Sequence, residues 1–156
     1  MPKKLILSCF LIGAVILSSP IASDAKSIEN ARNEVVRETM QYLNVPYLWG
    51  GMHPKTGMDC SAFVRLVYQK AGLRLPRVSG EQFAASMRLN PADVLPGDII
   101  FFSMKKPASK KVDHVGVYVG KGFFVHASFT NGIHIDSVAN PYYFQRMVGI
   151  RKYRGF

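Results

Sequence analysis

The chain reads as an α+β domain, helices packed on an antiparallel β-sheet, and three observations predict this. Apolar residues recur at three- and four-residue spacing in the first half, as amphipathic helices require. Beyond Met87 they gather instead into short runs punctuated by glycine and proline. Helical patterns come first and strands afterwards, without the regular alternation that would announce a parallel sheet. At 156 residues the chain is long enough for one domain and too short for two.

The first element is a targeting segment rather than part of the fold. A basic start, "MPKK", leads into the mostly apolar stretch from Leu5 to Leu17, and "SSPIASDAKS" follows with small residues at Ser23 and Ala25. That is the layout of a secretory signal peptide, with cleavage expected after Ala25. The apolar stretch falls short of the roughly 20 residues a membrane-spanning helix needs. Residues 1–25 are therefore expected to direct export, and residues 26–156 to form the single domain. Cys9 lies early in the apolar run, where a lipid-attachment cysteine would follow it, so it reads as a passenger.

Ser27 is placed to cap a helix running to about Leu43, with Ile28, Ala31, Val35, Thr39 and Met40 near one face and Arg32, Glu34, Arg37 and Glu38 mostly elsewhere. Asn44 and Pro46 end it. "VPYLWGG" is extended and then loosens at its glycine pair. A second helix is predicted from Cys60 to Ala71, with Asp59 as its N-cap, Phe63, Val64, Val67 and Ala71 as its buried stripe and Gly72 as its stop. A shorter helix is expected from Gly80 to Met87. "VLPGDIIFFS" then gives a turn and a buried strand through Phe102, and "KKPASKK" a solvated basic loop. "DHVGVYVGKGFFVHAS" is a hairpin about Gly120-Lys121-Gly122, and strands near Gly132–Asp136 and Met147–Tyr153 complete the sheet.

Once the signal is removed, Cys60 is the sole cysteine, so the exported domain has an unpaired thiol and no internal disulfide. A cysteine in the first turn of a helix feels the positive end of the helix dipole and faces unpaired backbone amides, both of which favour thiolate. Asp59 opposes this with its own charge, so activation would benefit from a cationic partner, for which an imidazolium is the usual choice.

The hairpin offers that partner. With a three-residue loop and Val119 opposite Phe123, His126 stands opposite Gly116. His114, two residues away on the same strand face, becomes its diagonal neighbour, with a glycine leaving room between the rings. Cys60 is then the nucleophile, His114 the base and His126 the residue that fixes the tautomer of His114. Asp113 is an alternative orienter, but it adjoins His114 in the strand and is expected to point to the opposite face, and His53 sits in a glycine-bounded loop without a role. Cys60, His114 and His126 are also zinc-ligand types, yet no short CxxC-like spacing supports a metal site, and no cofactor is expected.

The residues in order, "PYLWGG" (46–51), "DCSAFV" (59–64), "LPGDIIFF" (95–102), "DHVGVYVG" (113–120) and "FVHAS" (124–128), resemble the NlpC family of bacterial cell-wall endopeptidases, which are papain-like cysteine peptidases. The resemblance implies a papain-like fold and hydrolysis of amide bonds in the stems or cross-links of peptidoglycan. It places the family's nucleophile on Cys60, its base on His114 and its third polar residue on His126. It also implies that Tyr47 helps to hold the oxyanion with the backbone amide of Cys60, and that Trp49, Asp59 and Ser61 line the substrate cleft. Arg77, in "LPRVSGEQ", would meet a stem-peptide carboxylate. Ala62 departs from the family's usual DCSG.

A net charge of +10 calls for an anionic partner. The sequence has no helix-turn-helix, zinc-finger or RNA-binding pattern, so nucleic acid is not expected. Stem peptides and anionic wall polymer fit an exported basic enzyme, expected to act as a monomer in the periplasm or cell wall. Other readings are an idle wall-binding module, which the joint presence of cysteine and histidines disfavours, and a secreted toxin with the same chemistry. A rearranged acyltransferase would need its histidine before the cysteine.

Overall fold

The computed structural model describes the backbone from Pro20 and the side chains from Asp24 through Phe156. Most of the expected signal segment, and Cys9 with it, lies outside the described residues. Helix α1 spans Pro20–Gln41. Its described part already includes the residues before the predicted cap and runs through the expected cleavage point. Ser27 is internal, its hydroxyl donating to the carbonyl of Asp24 at 2.7 Å. Among the described residues, no helix is long and apolar enough to cross a membrane.

A two-stranded ribbon of β1 (Met52–His53) and β2 (Gly57–Met58) leads into α2 (Cys60–Lys70) and α3 (Ser79–Ala84). The sheet is built from β3 (Ser86–Arg88), β4 (Ile99–Phe102), β5 (His114–Gly120), β6 (Phe123–Ser128), β7 (Gly132–Ser137) and β8 (Met147–Tyr153). Its order is β3-β8-β4-β5-β6-β7, and each paired neighbour is antiparallel. A short helix, α4 (Pro141–Phe144), precedes β8. The third helix thus ends three residues before its predicted limit, because Ser86–Arg88 leave it to pair with Tyr153–Arg151 as an edge strand.

Strand alternation divides the apolar residues between two faces. Val115, Val117, Val125, Ala127, Ile133, Ile99 and Phe101 pack with Phe63, Val64 and Val67 of α2 in the main core. Ile100, Phe102, Phe124 and Tyr143 form a second cluster. The hairpin register confirms that His126 faces Gly116. The turn achieves it differently from the expectation. Lys121 and Gly122 form a two-residue turn with both residues at positive φ, and a bulge between Tyr118 and Gly120 supplies the extra residue. A two-residue turn without that bulge would put the histidines on opposite faces.

Arg32 corrects the predicted face of α1. It is buried, and its Nη1 donates to Asp98 Oδ1 at 2.8 Å, with Asp98 fully enclosed. Asp98 also accepts from the Leu95 amide at 2.8 Å, and the Arg32 guanidinium lies 4.4 Å over the Phe156 ring. Here the long arginine reaches past the helix flank to a carboxylate that the Pro96-Gly97 turn presents. Asp98→Ala would leave the guanidinium buried without its counter-charge. It is expected to cost about 3–5 kcal/mol, read from urea unfolding; a loss below ~1 kcal/mol contradicts this.

Candidate active site

Cys60 is the first residue of α2, half-buried, with a free thiol. The sequence forces the helix to begin there. Asp59 is extended, and its Oδ1 accepts from the Ala62 amide at 2.8 Å, capping an otherwise unpaired donor. Arg77 then clamps Asp59, with Nη2 donating to Oδ2 at 2.6 Å and Nη1 to Oδ1 at 3.0 Å. Its Nη1 also donates to Ser61 Oγ at 2.9 Å and its Nη2 to the Gly50 carbonyl at 3.3 Å. The buried Gln82 donates to the carbonyls of Ser61 and Pro76, so "LPRVSGEQ" braces the start of α2.

The electrostatics differ from the expectation that the helix start makes Cys60 a thiolate. Burial pushes the thiol up to about 11, and the Asp59 charge adds to this. Hydrogen bonding from the backbone at Val115, Ser61 and Cys60 itself pulls the other way without prevailing. Desolvation outweighs the dipole because the sulfur lies against the main core rather than in water. Helix α2 packs on β5, which brings Cys60, at the helix start, to the strand that His114 opens.

His114 and His126 share one face, as predicted. Their rings meet through His114 Nε2 and His126 Nδ1 at 2.7 Å. Gly116 is required between them, since a Cβ there would lie 3.0 Å from His126 Cβ and 2.7 Å from the Val125 carbonyl oxygen. Burial drives the His114 imidazole down to about 3, and the charge of His126 acts in the same direction. Asp113 is turned away, accepting from the amides of Met104 and Lys105 at 2.6 and 3.1 Å. His53 is exposed, and its ring accepts from the Lys55 amide at 3.2 Å.

The network goes further than the sequence reading did. His126 is 1 % exposed, and its Nε2 donates to Asp136 Oδ2 at 2.9 Å. His134 Nε2 meets the same oxygen at 2.7 Å, and the Tyr143 hydroxyl lies 3.3 Å from His126 Nε2. Burial tends to raise the Asp136 carboxyl, but hydrogen bonds from His126 and Tyr143 and the charges of His134 and His126 hold it below the ordinary range. A signal for this was present. His126 faces His134 across β6 and β7, and Asp136 follows two residues later on the same face. Among the described residues, the one group of metal-ligand types is His126, His134 and Asp136, within 4.8 Å of one another, and these hydrogen bonds account for it. Cys60 and His114 are not part of it.

Tyr47 is delivered by the chain after α1. The Asn44 amide donates to the Ile133 carbonyl at 2.8 Å and the Ile133 amide to the Val45 carbonyl at 2.9 Å. This close approach needs Gly132, where a Cβ would sit 2.4 Å from the Val45 oxygen. Burial raises the Tyr47 hydroxyl, and the charges of Cys60 and Asp59 add to it, so the phenol stands near the Cys60 thiol. Tyr47, His114, His126, Phe129 and Tyr142 line a cavity of about 360 Å³. A larger cavity, about 670 Å³, lies beside Arg88, Tyr118 and Arg151 and is lined by no cysteine, serine or histidine. Trp49 is 82 % exposed, so it is not a core anchor, and Ser61 is buried. Arg77 does not present a free guanidinium to a substrate carboxylate, as expected from sequence, because Asp59 and Ser61 occupy it.

Arg77→Ala would leave Asp59 uncompensated beside Cys60 and raise the thiol further. It is expected to lower kcat/KM about tenfold, or ~1.4 kcal/mol. Arg77→Lys should restore only part of this, since an ammonium cannot make the bidentate clamp. Full activity in Arg77→Ala would show that the clamp is irrelevant to the site.

Comparison with known proteins agrees with this geometry. The family model described as the NlpC/P60 family matches residues 44–152. The gamma-DL-glutamyl hydrolase of Bacillus subtilis is 35 % identical over 94 % of this chain and 34 % of its own length. The murein DD-endopeptidase MepH of Escherichia coli is 33 % identical over 80 % of this chain and 47 % of its own. The chain spans about a third or less of the length of several such relatives. An NLP/P60-family crystal structure from Staphylococcus aureus superposes with a TM-score of 0.71 at 32 % identity, over 79 % of this chain and 41 % of that one. RipD of Mycobacterium tuberculosis, a non-catalytic NlpC/p60 domain protein adapted to peptidoglycan binding, shares the fold with a TM-score of 0.64 at 22 % identity, over 80 % of this chain and 97 % of its own. With a family match across most of the chain and a helix-start cysteine beside a paired-histidine ribbon, the chain belongs to the NlpC/P60 family.

Proposed function

We propose that this chain is a cysteine endopeptidase that hydrolyses amide bonds in the peptide stems or cross-links of peptidoglycan. The observation that carries the reading is the 2.7 Å pairing of His114 with His126, with His114 opening the strand on which α2, and so Cys60 at its start, is packed. Because His126 occupies Nε2 of His114, Nδ1 is the nitrogen left to take the thiol proton.

The reaction follows from these roles. Cys60 Sγ attacks the carbonyl carbon as His114 Nδ1 takes its proton, so thiolate develops only with the new bond. The carbonyl oxygen gains the negative charge and is met by the Cys60 amide and the Tyr47 hydroxyl. Collapse of that intermediate breaks the C–N bond, and His114 returns the proton to the leaving amine. Water, deprotonated by His114, then cleaves the thioester and restores the thiol. Trp49, Asp59 and Ser61 contribute to the cleft; Asp59 and Ser61 act through the α2 start that they stabilise.

Residues 1–25 are proposed to export the domain to the periplasm or wall, where its basic surface meets anionic polymer. A monomer suffices, since the site is assembled within one chain. The alternative of an idle binding module has a precedent in the fold of RipD, but here the cysteine is present and the two histidines are paired on one sheet face. Digestion of purified muropeptides, with products read by mass spectrometry, tests the proposal. A new amine and carboxylate between D-glutamate and diaminopimelate identify stem cleavage, and loss at the D-alanine linkage identifies cross-link opening. Intact muropeptides after prolonged digestion would overturn it.

A further inference from the structure

We infer that Asp136 is a positioning residue that fixes the proton arrangement of both histidines, and so decides which nitrogen of His114 can act as the base. The inference rests on the reading of Cys60 and His114 given above and extends it.

A neutral imidazole carries one N–H and one lone pair, so a bond at one nitrogen dictates the role of the other. Asp136 Oδ2, ionised, only accepts. Its 2.9 Å contact therefore requires the proton of His126 on Nε2. His126 Nδ1 must then accept, and the 2.7 Å contact requires the proton of His114 on Nε2. That leaves His114 Nδ1 with its lone pair. Reverse the bond at Asp136 and every step inverts: His126 Nδ1 donates, His114 Nε2 accepts, and His114 Nδ1 carries a proton it cannot use to deprotonate a thiol.

His126 alone cannot choose between these arrangements. Either is a complete hydrogen bond to His114, and the ring is buried away from water. Asp136 resolves the choice because a carboxylate offers no proton. Its own placement is secured from two sides. His134 Nε2 reaches the same oxygen at 2.7 Å from the partly exposed edge of β7, while the His134 Nδ1 lies 3.1 Å from the Gly132 carbonyl. Tyr143 approaches from α4, holding the carboxylate ionised in concert with His126.

The decisive variant is Asp136→Asn, examined in the full chain with muropeptides as substrate. The amide keeps the shape but can donate through its NH2, so it permits the inverted arrangement. Its kcat is expected to fall about 100-fold with KM changed less than about twofold, nearly as far as in Asp136→Ala. A residue needed only for packing would tolerate asparagine, so near-normal kcat in Asp136→Asn would overturn the inference. Long-range ¹H–¹⁵N spectra of the histidine rings supply a readout independent of turnover. The wild type should show His114 and His126 both protonated at Nε2, and Asp136→Asn should show His114 Nδ1 gaining a proton. Unchanged tautomers in the variant would equally overturn it. Thermal melting separates either result from unfolding: Asp136 is partly exposed on the edge strand β7, and the melting temperature should move only slightly. If instead turnover proves independent of Cys60, the catalytic reading fails while the tautomer result still stands or falls alone.

Discussion

Cys60→Ala is expected to lower turnover of muropeptides by about 10⁴-fold or more while leaving the fold and any affinity for the wall in place. The magnitude follows from covalent catalysis. Without the sulfur no thioester forms, and the remaining oxyanion donors and histidines act on a substrate with no nucleophile aligned to it. Stability should change by no more than about 1 kcal/mol. Alanine is a good helix former at this position, the cap by Asp59 is independent of the Cys60 side chain, and the change removes a single sulfur atom. Paired with pull-down on isolated peptidoglycan, the variant separates enzyme from binding module. Equal turnover by Cys60→Ala and wild type would remove the thiol from the mechanism.

The sequence revealed the frame of this site more readily than its outer shell. Cys60, Asp59 and the second helix were legible because an N-cap and a helical apolar stripe are local signals. The histidine pair was legible because strand alternation converts residue number into face. The predicted loop was nevertheless wrong in kind: the register survived because a bulge at Val119 offsets the shorter turn, and bulges leave little trace in composition. Arg32 was misread because a long side chain on a helix flank can reach a buried carboxylate 66 residues away. Arg77 looked available because nothing local predicts its bidentate contact with Asp59 across 18 residues. His134 and Asp136 were missed for another reason. They become visible only when the face relation of β5 and β6 is carried one strand further, into β7.

The ionisation state of Cys60 is where helix-dipole reasoning and burial oppose each other most, and alkylation with iodoacetamide should decide between them. Iodoacetamide reacts with thiolate, so its rate tracks the thiolate fraction. With the Cys60 thiol pushed up to about 11 by burial, that fraction is small at neutral pH and grows about tenfold per pH unit. The rate should therefore climb roughly 1,000-fold between pH 6 and pH 9 without reaching a plateau. His114, driven down to about 3 by the same desolvation, is neutral across this interval and adds no inflection. Two consequences follow together. His114→Ala should leave the alkylation profile nearly unchanged, because no imidazolium was stabilising the thiolate. The same variant should lose muropeptide turnover by about 10⁴-fold, because the base is needed when the thiol attacks. A high plateau extending below pH 6, abolished by His114→Ala, would instead reveal a standing thiolate–imidazolium pair. It would show that their mutual attraction overcomes the cost of burying both charges.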